Sequence, residues 1–436
     1  MRFVYNVLFT IFFCVSLPYY VLRLLRRGNW QKGFGERFGW YGADLRQRLS
    51  GQTVIWFHAV SVGEVNLCAL LVQSFGERLK DWTIVVSTTT TTGMGELERK
   101  LPESVLKIYY PVDFAPVVNR ALGVINPRLV VLVEAEIWPN LLWRLADRSV
   151  PTFLVNARLS DRSARRYGQF GFLFRRIFSS FAGVGVQNET DARSVVSVGC
   201  DPKRTVVTGN LKFDAVDLDT RHSLNPAEII RWAGALPGAP VLLGSSTHAG
   251  EERLLGEIFL RLRDTVPNLF LVIVPRHFER GAEVLKDLSR LGIRTALRSK
   301  YDTQLESSSE RGECLVVDST GELRFFYDEA TVVFVGKSLL AHGGQNPIEA
   351  AAAGCAVVVG PHMENFRAIT KTFLSAQGMV RVKDAAALTT ELQRLLSDPN
   401  EAALLGGQGR AVVDRNRGAV ARTVAMIEPN LKSATR

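Results

Sequence analysis

The sequence predicts an α/β protein of two parallel-sheet domains joined by a polar linker. Three observations carry this. Short β-branched apolar runs recur at intervals that leave room for crossover helices, as parallel sheets require. A chain of 436 residues suits two domains of roughly 200 residues each. The polar stretch Asp214–Asn225 contains no apolar run and divides the strand-like runs into two sets.

The first set comprises Thr53–Phe57, Thr83–Ser87, Leu129–Val133, Thr152–Val155, Gly183–Val186 and Thr205–Thr208. The second comprises Val241–Gly244, Leu269–Val274, Cys314–Val317, Thr331–Val335 and Ala356–Gly360. Residues 26–213 and 227–436 are therefore expected as Rossmann-like domains, with 214–226 as the linker. Ligands of such sheets bind beyond the carboxyl ends of the strands. A hydrophobic content of 47% is ample for two cores. Cys14, Cys68, Cys200, Cys314 and Cys355 show no CxxC spacing and mostly occupy apolar runs. Reduced, buried thiols are expected, not disulfides or a zinc site.

The N-terminus reads as a membrane segment. Residues 3–22 carry no charge; as a helix they would extend about 30 Å, the thickness of a bilayer core. The run ends Pro18-Tyr19-Tyr20-Val21-Leu22, without a small-x-small cleavage pattern. Arg23, Arg26 and Arg27 outnumber Arg2, which places the remainder on the cytoplasmic side. Residues 1–25 are expected as an uncleaved anchor. The alternatives are a signal peptide, a core helix, or a helix lying in the interface, the last favoured by Asn6 and Pro18.

The net charge of +10 is focused. Residues 1–50 carry a net +6, and residues 151–180 a net +5 from Arg158, Arg162, Arg165, Arg166, Arg175 and Arg176 against Asp161. Such a face suits an anionic partner: membrane lipid, a phosphorylated acceptor or nucleic acid. A merely solvated basic surface is the plain alternative.

Polar residues cluster where strands end. Ser61-Val62-Gly63-Glu64 leads from a strand into a helix, so Glu64 is a candidate general base. It would equally suit a helix N-terminus. Glu134 and Glu136 follow another strand beside Trp138; they share a face if the strand continues and diverge if a helix begins. Ser87–Gly93 offers hydroxyls for a sugar or for helix capping. In the second half, Pro275-Arg276, Thr320-Gly321-Glu322 and Gly343-Gly344-Gln345-Asn346-Pro347-Ile348-Glu349 follow strands. The glycine pair would let backbone N–H groups approach a ligand. Asn346 and Pro347 read as N-cap and first residue of a helix whose start attracts phosphate, with Glu349 placed for a ribose diol. The plain reading is an ordinary strand–loop–helix crossover.

Taken together, His58–Glu64, Glu134–Asn140, Asn156–Ser160, Gly209–Asp214, Val274–His277 and Gly343–Glu349 resemble the Kdo transferases of lipopolysaccharide synthesis. These move 3-deoxy-D-manno-octulosonic acid (Kdo) from CMP-Kdo to the lipid A precursor. The resemblance runs from the membrane segment to about residue 425. It implies a glycosyltransferase type B fold, with two Rossmann-like domains facing across a cleft and an N-terminal membrane-anchor helix. It implies Glu64 as catalytic base and Glu134 as a second essential carboxylate. Pro275, Arg276, Thr320, Gly321, Glu322, Asn346, Pro347, Ile348 and Glu349 would bind CMP-Kdo. Ser61, Gly63, Glu136, Arg158 and Arg162 are the acceptor-side candidates. The chain departs from the family pattern at Ala59, Ala135, Lys337 and Ala341-His342.

The implied reaction is inverting transfer at the cytoplasmic face of the inner membrane, with CMP-Kdo and the lipid A precursor as partners and no nucleic acid. It needs no cofactor and no metal, since no Asp-x-Asp pair flanks the phosphate loops. A soluble nucleotide-sugar isomerase of the same fold would have no use for residues 3–22 or the basic face. A membrane-tethered binding protein would have no use for Glu64 at a strand edge.

Overall fold

The structure is a computed structural model; it describes residues 2–27, 33–134, 136–217, 224–301 and 312–434. It divides into two units, one made of residues 1–218 and 417–436, the other of residues 219–416.

The first unit is built on β1 (Val54–His58), β2 (Thr83–Thr88), β3 (Leu106–Tyr109), β4 (Pro127–Val133), β5 (Thr152–Ala157), β6 (Gly183–Val186) and β7 (Thr205–Val207). The sheet order is β3-β2-β1-β4-β5-β6-β7, and every pairing is parallel. The alternation of side chains along β1 splits its apolar residues between two cores. Ile55 and Phe57 pack with the helices Val62–Phe75 and Ala419–Ala434. Val54 and Trp56 pack with the helices Ala115–Ile125 and Pro139–Asp147. Both faces are covered, which is why the strand reads as a continuous apolar run.

The second unit carries β8 (Val241–Thr247), β9 (Phe270–Pro275), β10 (Thr295–Leu297), β11 (Cys314–Val316), β12 (Val332–Val335), β13 (Ala356–Val359) and β14 (Val380–Arg381). Its order is β10-β11-β9-β8-β12-β13-β14, again all parallel. Three strands escape the sequence reading: β3, β10 and β14. All three are edge strands, short and partly exposed along their length, so they lack the fully apolar run that marks a central parallel strand.

Two expectations differ from the structure's outcome. The C-terminal helix, read as part of the second domain, belongs to the first unit. Its Val420, Val424, Ile427 and Leu431 complete the core beneath β1 and β4. Asp214, read as linker, fastens it: its carboxylate accepts the N–H groups of Gly418 at 2.8 Å and Val420 at 2.6 Å. Arg422 adds a bond from Nε to the Thr208 carbonyl at 2.8 Å. The middle of the predicted linker, residues 218–223, lies outside the described residues.

The second concerns residues 1–25, whose reading as a membrane anchor finds no support here. The helix Arg2–Arg27 exists, but among the described residues no helix is long and apolar enough to cross a membrane. Its first turns are fastened to the unit instead. Arg2 pairs with Asp147 at 2.6 Å, the Tyr5 hydroxyl donates to Asp113 at 2.9 Å, and Asn6 exchanges bonds with Asn140. The opposite face leaves Phe3, Leu8, Ile11, Phe12 and Val15 exposed.

Asp214→Ala is expected to destabilise the first unit by about 1–2 kcal/mol, the usual cost of losing a helix N-cap. The check is a denaturation midpoint compared with wild type; an unchanged midpoint would show that apolar packing alone holds the C-terminal helix.

Candidate active site

In each unit the strand order reverses at its central strand: between β1 and β4 in the first, between β8 and β12 in the second. Loops diverge at such points and leave an opening at the carboxyl edge of the sheet. The predicted carboxylates of the first unit follow these strands.

Glu64 sits in the first turn of the helix Val62–Phe75. Ser61 caps that helix by accepting the Glu64 N–H at 3.3 Å. Glu64 returns the favour through Oε2, which accepts the Val60 N–H at 2.9 Å, and Oε1, which accepts the Ser61 hydroxyl at 2.7 Å. This is a capping box shifted by one residue, its return bond taken from the residue before the N-cap, so the plain structural reading of Glu64 holds. It also fixes the carboxylate's orientation at the strand edge. Burial raises its pKa, and the neighbouring Glu134 charge adds to the rise, against the bonds from Val60 and Ser61. Ser61 and Gly63 are exposed at this helix start.

Glu134 ends β4 by adopting a left-handed backbone, φ 64°. Neither expected alternative, a continued strand or a new helix, applies here; the next helix begins only at Pro139. Ala135 lies outside the described residues. The Glu134 carboxylate accepts Asn156 Nδ2 at 3.3 Å and lies 3.5 Å from Lys212 Nζ. Asn156 is also left-handed, φ 54°, at the end of the adjacent strand, and its Oδ1 accepts the Leu211 N–H at 3.1 Å. Glu136 accepts the Trp138 indole N–H at 2.8 Å. Burial pushes its pKa up to about 7, with the Glu64 charge next in weight and Glu134 also contributing. Three carboxylates thus share one field at the β1/β4 edge. Arg158 and Arg162 are exposed just past β5. Ser87–Gly93 resolves as capping: Thr90 accepts the Gly93 N–H at 2.9 Å.

Lys212 and Asn156 are the residues that sequence reasoning passed over. Both lie in the quoted motifs, yet only the fold shows them holding Glu134.

In the second unit, Pro275 is buried at the end of β9 and Arg276 is exposed just beyond it. The Arg276 N–H bonds the Thr247 carbonyl of the neighbouring strand at 2.9 Å, so its side chain stands at the carboxyl edge. Thr320 and Gly321 are exposed. Glu322 is committed to the nearly buried Arg298 at 3.0 Å. Glu251, fully buried, accepts the N–H groups of His248 at 2.9 Å and Lys337 at 2.7 Å. It ties the loop after β8 to the loop after β12.

The glycine loop differs from expectation. Gly343 and Gly344 have φ of 112° and 68°, so the pair is needed for backbone shape. Their N–H groups are already used, by Glu364 at 2.7 Å and by the Lys337 carbonyl at 2.9 Å. The helix begins at Ile348, one residue later than predicted, with Pro347 at the cap position. Asn346 still caps through its side chain, accepting the Ile348 N–H at 3.2 Å and donating to Glu349 at 3.3 Å. Pro347 and Ile348 are buried, which leaves Asn346 and Glu349 as the polar groups at this helix start.

Residues 32–215 match the family described as 3-deoxy-D-manno-octulosonic-acid transferase (kdotransferase). Along its whole length the chain is 31% identical to the 3-deoxy-D-manno-octulosonic acid transferase of Haemophilus influenzae, covering 99% of each chain. The chain belongs to the Kdo transferase family. A relative of the same name from Bordetella pertussis is 33% identical over 92% of each chain. The molecule is therefore a glycosyltransferase that transfers Kdo. The UDP-GlcNAc 2-epimerase of Neisseria meningitidis shares the fold, with a TM-score of 0.58 over 86% of this chain and 99% of that one, at 13% identity. The type B architecture is thus common to epimerases and transferases, and sequence identity over the full length selects the transferase.

The raised Glu136 makes a testable statement about this Kdo transferase. A carboxyl whose folded pKa exceeds its unfolded value stabilises the fold at low pH. That contribution is lost as pH rises from the ordinary glutamate range through about 7. Thermal melts of wild type and Glu136→Gln across this window should converge at the acid end, with the variant declining less towards neutrality. Parallel profiles would mean that Glu136 ionises normally.

Proposed function

We propose that the chain moves Kdo from CMP-Kdo to a glucosamine hydroxyl of the lipid A precursor, lipid IVA, by an inverting displacement with Glu64 as general base. One observation carries this reading: Glu64 and Glu134 follow the two strands that flank the reversal of strand order, and burial raises the Glu64 carboxyl. The acceptor hydroxyl oxygen attacks the anomeric carbon of Kdo and gives its proton to Glu64. The bond from that carbon to the phosphate oxygen breaks, and CMP departs with the electron pair. A raised pKa brings the base closer to its operating pH. Glu134, positioned by Asn156 and Lys212, supplies negative charge to an oxocarbenium-like transition state.

The first unit takes the acceptor through Ser61, Gly63, Glu136, Arg158 and Arg162. The second unit takes the donor: Arg276 pairs with the CMP phosphate, Asn346 and Glu349 meet the nucleoside, and the exposed Thr320-Gly321 turn borders it. Glu322, Pro347 and Ile348 shape these segments without contacting the donor through their side chains. No residue of this scheme calls for a metal or cofactor.

The site works at the cytoplasmic face of the inner membrane. The helix Arg2–Arg27 lies on the bilayer surface, with Phe3, Leu8, Ile11, Phe12 and Val15 entering the lipid. An apolar groove of about 390 Å³ beside it, lined by Phe9, Phe13, Phe38, Trp40 and Phe114, suits an acyl chain. The arginines of 158–176 meet lipid phosphates.

Two experiments test these assignments. Glu64→Gln preserves a capping box, since glutamine serves at that position as well as glutamate, but cannot accept a proton. With labelled CMP-Kdo and lipid IVA it should lose about 10²–10⁴-fold in turnover without a change in melting temperature, and Arg276→Ala should chiefly weaken donor binding. Near-normal turnover in the glutamine variant would exclude Glu64 as the base. Separately, an Ile11→Asp/Phe12→Asp double variant should lose sedimentation with anionic vesicles while staying folded. Undiminished sedimentation would assign membrane contact elsewhere.

A further inference from the structure

A second cluster lies apart from the three carboxylates, on two loops of the second unit. His342 precedes the glycine pair in the loop between β12 and the helix Ile348–Ala352. His362 and Glu364 follow β13. Nδ1 of His342 is 3.3 Å from Glu364 Oε1, and Nδ1 of His362 is 3.4 Å from the same oxygen. The two imidazole rings are 3.9 Å apart and tilted by 53°. One ligand atom from each residue lies within 4.8 Å of the others.

We propose that His342, His362 and Glu364 bind a divalent cation of the zinc class. The geometry points there. Bonds of about 2.0–2.2 Å to a tetrahedral ion set neighbouring ligand atoms about 3.3–3.5 Å apart, which is the spacing between each Nδ1 and the shared oxygen. Two imidazoles and one carboxylate are the donor set for zinc, cobalt or nickel, and a poor one for magnesium or calcium, which prefer oxygen alone. Three protein ligands leave a fourth position, and the site opens to solvent, with the His342 side chain 77% exposed, so water fills it.

The ligands are held by backbone before any ion arrives. The second oxygen of Glu364 accepts the Gly343 N–H at 2.7 Å, the kind of outer contact that orients a ligating carboxylate. The Asn365 N–H bonds the Gly343 carbonyl at 3.1 Å, and the His362 N–H bonds the Ser338 carbonyl at 2.9 Å. Side chains on one loop thus meet side chains on another across existing hydrogen bonds. Neither glycine can be replaced to loosen them. A Cβ at Gly343 would lie 2.7 Å from Asn365 Nδ2, and one at Gly344 would run into Met363. A bound ion would clamp the loop of residues 337–346 to the loop of residues 361–366. This role is structural and lies outside the transfer chemistry, and the site stands whether or not the neighbouring segment binds CMP.

The test uses the full chain without a histidine tag, stripped with chelator and then freed of it. Titration with Co²⁺ should saturate at one equivalent with visible absorption of a tetrahedral or five-coordinate ion, Zn²⁺ should displace it, and Mg²⁺ should not. His342→Ala and Glu364→Gln, both at exposed positions, should each weaken binding by at least about tenfold while circular dichroism stays unchanged. Absence of saturable Co²⁺ binding in the wild type would overturn the proposal, as would equal binding by wild type and both variants.

Discussion

Parallel pairing on both sides of one central strand is the constraint from which the rest of each unit follows. β1 bonds to β2 and β4, and β8 bonds to β9 and β12. Parallel neighbours cannot be joined by tight turns, so each connection crosses over a face of the sheet. Covered faces demand apolar strands, and chain growth in both directions from the centre forces the reversal of order. The polar loops are thereby gathered at one edge. Glu64 and Glu134 meet because β1 and β4 are neighbours, although seventy residues of sequence separate them.

The two units use the same position in opposite ways. In each, an acidic residue opens the helix that follows the central strand: Glu64 after β1 and Glu251 after β8. Glu251 is fully buried and spends its oxygens on backbone N–H groups of two loops. Glu64 closes a capping box with Val60 and Ser61 but remains half-buried, in the field of two further carboxylates. The first arrangement is structural reinforcement. The second holds a carboxylate still while leaving it partly exposed, so a capping role is compatible with the base role proposed for Glu64. Accepted hydrogen bonds fix a carboxylate's position, while the cost of burial acts on its proton affinity.

Much of this was legible in the chain. Eleven apolar runs map onto strands of the two sheets; ten are interior strands, which must be apolar throughout when both faces are covered, and the eleventh, β7, is a partly exposed edge. The three strands that were missed are edges, where one side is open and polar residues such as Lys107 and Arg381 are tolerated. The candidate site residues draw attention for a related reason: carboxylates directly after buried strands stand out against an apolar background. Their partners were less so. Asn156 and Lys212 hold Glu134 from β5 and from the turn after β7. No spacing along the chain connects those positions. For the N-terminal run, hydropathy registers the absence of charge. It does not register that Tyr5 and Asn6 are turned towards Asp113 and Asn140.

The sequence by itself determined the fold class, the division into two sheets, the family, and the strand ends at which polar chemistry could occur. These depend on local pattern and on residue identity, both of which survive in one dimension. Only the tertiary structure decided which unit the last helix completes, that the glycine N–H groups serve the loop itself, and that Glu322 is tied to Arg298. It alone brought His342 beside His362 and Glu364. Each of these depends on contacts between distant segments, whose free energy is set by packing and hydrogen-bond geometry that no local pattern encodes.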